Sequence, residues 1–320
     1  MARITYAFGS SHGPTNRTPA EEWTRLGEGD KNDPRFDFNA HLATVRSGME
    51  AELKLEKRQE RGAALQVALA ELRDSVAKAS VDIIIVISNP HRIWSDDSQA
   101  VFGVMRSATF AVALPDNQPF NPDDRLKDRS SRPKPKTTDK AGHPELANWL
   151  ISGLIGRGFD IACKDSLREG EAIDEAFSFV YDLLPQETTT PVVPFMLSRY
   201  LPYQATAGRC VALGTALRET IESWDSSLTV GLMASGGLSH QLIDENLDAR
   251  VIAGLTSGDF SDLTEITAAQ LNGAPGTPEI LNWMTVASAM KPVKMTLIDY
   301  IPAFRSLAGT GHGLAFGIWG

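Results

Sequence analysis

The sequence predicts an α/β fold in which a layered, mostly parallel sheet is flanked by helices. Short apolar runs of strand length alternate with longer segments in which apolar residues recur at helical spacing. The run at 81–87 is rich in β-branched residues, which is typical of a strand covered on both faces. Hydrophobic residues make up 42% of the 320 positions, enough for a sizeable core. The length suits one large α/β domain or two modest ones, and of these we expect a single domain spanning residues 1–320.

The first half of the chain begins with a strand and continues into a helical segment. Residues 2–8 alternate in polarity and predict a strand. A helical insertion is expected at about 36–80, where apolar residues recur three and four positions apart. The β-branched run at 81–87 predicts the next strand, and 109–114 predicts another. Residues 115–140 are rich in Pro, Asp, Lys and Ser without an apolar period, so we expect a long loop.

Helices and strands continue to alternate in the second half. His143 precedes Pro144 at a predicted helix start, so we assign it to the cap region of that helix. The remaining elements are expected as helices at 142–155 and 210–224, and as strands at 159–163, 191–197 and 228–234. This alternation indicates parallel strands connected by helices.

Three of the six histidines directly follow strong strand predictions. His12 follows the first strand, His91 follows the β-branched strand, and His240 ends the SGGLSH stretch at 235–240. If these strands are parallel, the three rings gather at the carboxyl ends, where open α/β sheets bind ligands. For any one of these motifs alone, a turn with an incidental histidine remains the alternative.

Composition excludes several classes of partner. The net charge of −9 and the pI of about 5.2 argue against nucleic acid or an anionic membrane surface. No apolar stretch approaches the roughly 18 residues of a membrane span, and the first residues lack a signal-peptide pattern. Cys163 and Cys210 lie in apolar settings and are expected to be buried thiols, which fits a cytoplasmic location.

The histidine motifs resemble those of the class III extradiol ring-cleavage dioxygenases, a superfamily that includes the catalytic subunit of protocatechuate 4,5-dioxygenase. The matching residues are Ser-Ser-His at 10–12, Asn-X-His at 89–91 and SGGLSH at 235–240, with continued likeness at 239–248 and 304–311. Within the superfamily the sequence is most similar to the 3-O-methylgallate dioxygenase type. The resemblance implies a homo-oligomeric enzyme, expected as a dimer, that uses Fe(II) and O2 to open a catecholic, carboxylated aromatic ring.

The resemblance also implies the ligands of the metal. His12, His91 and Glu279 would hold Fe(II), and two histidines with one carboxylate leave one face of such an ion open. Residues 276–279 also have the pattern of a helix start, so a glutamate that only complements the helix dipole is the alternative. His41 is the reserve ligand in place of His91, with a helix-surface position as its alternative.

Further site residues follow from the same resemblance. His240 would be the acid/base residue beside the metal rather than a ligand. Many relatives carry a second pocket histidine where this sequence has Glu175, so we expect Glu175 in the catalytic pocket, facing the open side and influencing substrate choice. Its alternative is a surface position. Arg305 and Ser306 are expected to bind a substrate carboxylate, and a structural ion pair is the alternative for Arg305.

Other functions remain open from the sequence. The absence of the second histidine would suit a non-catalytic metal-cleft binding protein of the same fold. A carboxylate at 175 would also suit an aminophenol-type or other atypical ring, and the same ligands could hold zinc in a hydrolase. The retained Glu279 and His240 favour the dioxygenase.

Overall fold

The computed structural model describes residues 1–91, 93–94, 99–114 and 135–320. Within them, a large sheet has helices packed on both faces, which confirms the predicted layered α/β fold. The strands are β1 (Arg3–Ser10), β2 (Ile83–Ser88), β3 (Phe102–Met105), β4 (Thr109–Ala113), β5 (Thr137–Ala141), β6 (Ala162–Lys164), β7 (Val192–Leu197), β8 (Thr229–Ser235), β9 (His240–Leu242), β10 (Thr296–Phe304) and β11 (Thr310–Trp319). The helices are α1 (Trp23–Asp30), α2 (Phe38–Ala43), α3 (Met49–Glu52), α4 (Leu55–Ala79), α5 (Pro144–Ile155), α6 (Glu175–Ser178), α7 (Val180–Leu183), α8 (Ala207–Glu222), α9 (Glu245–Ser257), α10 (Ser261–Thr264), α11 (Ala268–Leu271) and α12 (Ile280–Ala289).

Parallel strands form the centre of the large sheet. β1, β8, β2 and β7 lie side by side in that order, and each neighbouring pair is parallel. On one side β11 runs antiparallel to β1 and also pairs with β10 and β9. On the other side β3 runs antiparallel to β7 and parallel to β6. The parallel arrangement predicted for the histidine-bearing strands therefore holds, whereas the strands at the two sides make the whole sheet mixed.

The central strands are buried on both faces, as the β-branched run predicted. Ile83, Ile85 and Ile87 of β2 join the core beneath α5, α8 and α12. Ile84 and Val86, which alternate with them, join the opposite core beneath α4. Burying a side chain of this size stabilises the fold by about 1.5–3 kcal/mol. The two cores hold the central strands rigidly, and their carboxyl ends carry the candidate site.

The structure places three helices, α2, α3 and α4, in the segment 36–80. α4 is continuous through Gly62, where an added Cβ would lie 2.7 Å from the Cβ of Ala20, so the glycine permits this close approach. Most of the loop expected at 115–140 lies outside the described residues, which resume at 135. The last part of this loop prediction is wrong, because Thr137–Ala141 forms β5 and pairs with β4 in a separate two-stranded sheet.

No described helix combines the length and apolar character that a bilayer span requires. Both cysteines are free thiols. Cys210 is buried, as expected, but Cys163 is exposed because β6 lies at the edge of the sheet.

Candidate metal centre

Four neighbouring parallel strands each deliver site residues from their carboxyl ends. His12 lies two residues after β1, His91 three after β2 and Arg199 two after β7. The SGGLSH stretch follows from the end of β8 and presents His240 at the start of β9. Carboxyl ends of adjacent parallel strands share one edge of a sheet. The structure therefore brings the three predicted histidines together.

Glu279 lies at the centre of this group. Its Oε1 atom is 3.8 Å from Nε2 of His12 and 3.7 Å from Nε2 of His91. One ligand atom from each of the three side chains lies within 4.8 Å of the others, as a shared metal ion requires. On the other carboxylate oxygen, Oε2 lies 3.4 Å from Nε2 of His240. The two predicted histidine ligands and the predicted acid/base residue thus surround the buried carboxylate of Glu279, the third predicted ligand.

The start of α12 anchors Glu279 to the strand ends. Glu279 closes a 3-10 turn that runs directly into α12. Three and four residues later, on the same helix face, Asn282 donates to Oδ1 of Asn89 (2.8 Å) and the carbonyl of Ser235 (2.9 Å), while the Trp283 indole donates to the Gly236 carbonyl (3.0 Å). These buried bonds tie the helix start to β2 and β8, so the carboxylate has a defined position.

Glycines allow the backbone to approach the cluster. Gly236 has φ +144°, and an added Cβ would lie 2.6 Å from Oε2 of Glu279. The next amide, from Gly237, donates to the same oxygen at 2.9 Å. At Gly276 an added Cβ would come within 1.9 Å of the His240 ring. The first glycine of the SGGLSH motif, Gly236, is therefore required by the carboxylate beside it, which disfavours an incidental turn.

Hydrogen bonds set the tautomers of the two candidate histidine ligands. Ser235 uses its hydroxyl hydrogen on a main-chain carbonyl of α6 (2.6 Å), so it accepts from Nδ1 of His12 at 3.0 Å. Nδ1 of His91 donates to Oε1 of Glu175 at 3.1 Å. Each ring thus turns Nε2 toward Glu279, and Nε2 of His91 is buried with no hydrogen-bond partner in the described chain. Carboxylate and hydroxyl partners of this kind orient metal-binding histidines, and the donor set suits a divalent ion such as Fe(II).

The charges of the cluster follow from burial and mutual contact. Burial lowers the pKa of His12 to about 4 and outweighs the attraction of Glu279, so the ring is neutral. Burial and Arg199 act to lower the pKa of His91, but the hydrogen bond to Glu175 and the nearby Glu279 carboxylate raise it to about 9. Burial acts to raise the pKa of Glu279, yet His240 and His12 hold it well below its usual range. A metal would bind an ionised Glu279 and displace a proton from His91.

His240 is held in place from both sides. Its Nδ1 donates to the carbonyl of Leu238 at 2.9 Å, which leaves Nε2 facing the cluster. Its ring lies against His312, with 4.4 Å between ring centroids. The preceding residue, Ser239, donates to the buried carboxylate of Asp248 through its amide and its hydroxyl, each at 2.7 Å. Asp248 therefore fixes the turn that presents His240.

Two site expectations need correction. Arg305 donates from Nε (2.6 Å) and Nη2 (2.8 Å) to Asp30, and both side chains are buried, so its fork is committed to a structural ion pair. The Ser306 hydroxyl is bonded to Thr310 at 2.6 Å. Glu175 lies near the cluster but on the Nδ1 side of His91, where it acts on the ring rather than on the face shared by the Nε2 atoms.

The three remaining positions are His41, His143 and Arg199, of which only Arg199 lies near the cluster. His41 lies on α2 beside Phe36 and does not belong to the cluster of possible metal ligands found among the described residues. His143 is the N-cap of α5 and accepts from the amide of Leu146, as predicted. Arg199 was missed, although the rule that identified His12 and His91 applies to it equally: it follows a predicted strand by two residues. Only histidines were considered at those positions.

The fold and the cluster define an α/β protein with a candidate divalent-metal centre of two histidines and one glutamate. A family model described as the catalytic LigB subunit of aromatic ring-opening dioxygenase matches residues 48–309, and the chain belongs to this family. Gallate dioxygenase of Pseudomonas putida is 32% identical over 162 residues, which are 47% of this chain and 46% of that protein. The match thus spans about half the length of the curated relative. The resemblance found in the sequence is confirmed, and His12 lies before the matched range, so its place in the cluster rests on geometry.

Proposed function

We propose that this chain is a non-haem Fe(II)-dependent extradiol dioxygenase that opens the ring of a catecholic, carboxylated aromatic with O2. The observation that carries the proposal is the convergence of two histidine Nε2 atoms on the Glu279 carboxylate, in a member of a ring-opening dioxygenase family. The similarity to gallate dioxygenase supports a hydroxylated benzoate as substrate.

His12, His91 and Glu279 would hold the metal. Bound iron would supply the Lewis-acid and redox chemistry by which O2 reacts with the ring. Ser235 and Glu175 hold a hydrogen on Nδ1 of each histidine, so that Nε2 is the nitrogen that would bind the metal. These residues therefore prepare the site before any metal or substrate arrives.

His240 would accept a proton from the substrate and return it. Its Nδ1 is held by the Leu238 carbonyl, so Nε2 is the nitrogen that can take a proton from a ring hydroxyl and return it later in the reaction. Nε2 of His240 lies 3.4 Å from Oε2 of Glu279, and this short distance supports a proton exchange next to the metal ligands.

We further propose that residues 1–320 act as one catalytic unit that works as a homodimer in the cytoplasm, without nucleic-acid or membrane partners. The net charge of −9 supports the absence of nucleic-acid and anionic-membrane partners, and the two free cysteines support the cytoplasmic location.

The proposal is tested by reconstituting the protein with Fe(II) under argon and then admitting O2 with a panel of catechols. Expected results are oxygen uptake and, with ¹⁸O2, a product that carries both labelled atoms. A panel without oxygen uptake or labelled product would contradict the proposal. Zinc-loaded protein is the matched control and should show neither.

A further inference from the structure

Arg199 is a nearly buried cation that has few hydrogen-bond acceptors among the described residues. Only 10% of its side-chain surface is exposed. Nη2 donates to the hydroxyl of Tyr200 at 2.8 Å, while Nε is buried with no hydrogen-bond partner in the described chain. Nη1 lies 3.6 Å from Oε1 of Glu279, beyond hydrogen-bond distance. A guanidinium has five donors, and burying them without acceptors is costly.

Arg305 shows how this protein satisfies an arginine with a structural role. Its Nε and Nη2 both reach the carboxylate of Asp30, at 2.6 and 2.8 Å, and both side chains are buried. No described carboxylate pairs with Arg199 in this way, because Glu279 is shared among three histidines and the Gly237 amide. Arg305 is thus fully paired with a carboxylate whereas Arg199 is not, and of these two arginines only Arg199 faces the candidate metal centre.

The missing acceptor of Arg199 is expected to be anionic and planar. A guanidinium matches a carboxylate in shape and forms two parallel hydrogen bonds with it. Arg199 extends from the end of β7, and its neighbour Tyr200, to which it is bonded, is exposed. The cation therefore lies between the buried cluster and the exposed side chain of Tyr200.

We propose that Arg199 binds the carboxylate of the substrate, so that the preferred substrates are catechols with a carboxylate on the ring. This inference rests on the proposed function, because the ring hydroxyls must be held at the cluster for the carboxylate to reach Arg199. It transfers to Arg199 the role that the sequence had suggested for Arg305.

The test compares ligands that differ only in the carboxylate. Under argon, the dissociation constants of 3,4-dihydroxybenzoate and catechol are measured by calorimetry with the Fe(II)-loaded protein and with Arg199→Met. The preference is the dissociation constant of catechol divided by that of 3,4-dihydroxybenzoate. This ratio should fall by about tenfold or more in Arg199→Met, because a hydrogen bond to a charged group is lost. Arg199→Lys keeps the charge without the fork and should lose several-fold of the preference. If Arg199→Met does not fold, the lysine variant alone decides.

Controls separate this inference from its rivals. Arg218→Met removes an arginine that pairs with Glu222 on the surface of α8, and it should leave the ratio unchanged. An unchanged ratio in the Arg199 variants would overturn the inference. If the ratio is unchanged because both ligands bind equally more weakly, Arg199 is assigned to the ring hydroxyls. If wild-type protein binds both ligands but consumes no O2, the proposed function fails while the ratio still tests Arg199.

Discussion

Removing the Ser235 hydroxyl tests how the candidate metal ligands are prepared. In Ser235→Ala, Nδ1 of His12 loses its acceptor and a main-chain carbonyl of α6 loses its donor. Loss of such an outer partner lowers metal affinity by about 10- to 100-fold, which corresponds to roughly 1.4–2.8 kcal/mol. Two buried groups without partners should also destabilise the metal-free protein by about 1–3 kcal/mol. Metal affinity is measured by chelator competition, and stability by urea unfolding of the metal-free protein.

A matched control distinguishes the two effects. Ser288 on α12 also donates to a main-chain carbonyl, that of Val211 at 2.7 Å, but has no contact with the cluster histidines. Ser288→Ala should therefore lower stability and leave metal affinity unchanged. A Ser235→Ala protein that binds metal as tightly as the wild type, while losing the same stability as Ser288→Ala, would show that Ser235 does not prepare the metal ligands.

Three further changes have defined outcomes. His240→Phe should retain metal but lose turnover, because Nε2 of this residue is assigned a proton and not the metal; loss of metal in elemental analysis would make it a ligand. Burial raises the pKa of Asp248 to about 6 from an ordinary 3.8, so the folded state favours the protonated form and loses stability as pH rises through 6. Between about pH 4 and pH 8 the free energy of unfolding, measured with urea, should fall by about 3 kcal/mol in the wild type. Asp248→Asn should not show this fall. Equal pH dependence in the two proteins would contradict the assignment. Arg305→Met leaves the buried Asp30 unpaired and should destabilise the protein by about 3–5 kcal/mol, while the preference for carboxylated rings stays as in the wild type; a changed preference would return Arg305 to the pocket.

The central strands could be predicted because their patterns are local. An apolar run with β-branched residues is typical of a doubly covered strand wherever it occurs, and residues placed directly after such runs meet at one edge. His12, His91 and His240 were found in this way. The position of Glu279 depended on the resemblance, because its local pattern fits an ordinary helix start equally well.

The C-terminal strands were not predicted, for reasons of tertiary contact. β10 contains Pro302, which is tolerated because β10 lies at the edge of the sheet. β11 contains glycines that weaken its strand pattern. At one of them, Gly313, an added Cβ would lie 2.3 Å from Oδ2 of Asp248, so packing requires the small residue.

Side-chain partners were the least predictable feature. The pairing of Arg305 with Asp30 joins residues 275 positions apart, and no local pattern indicates it. The contact between Glu175 and His91 spans 84 positions. Residue type and position showed that these groups were important, but their roles depended on which neighbours the fold supplied.

The most direct test of the account compares the metal content of wild-type protein and Glu279→Ala after both are loaded with Fe(II) in the same way. We predict that wild-type protein, loaded with Fe(II) under argon and desalted, retains one metal ion per chain. The variant should retain none while keeping its circular dichroism spectrum, because it lacks the carboxylate on which both histidines converge. Full metal occupancy in the folded variant would contradict the assignment of His12, His91 and Glu279 as one metal centre.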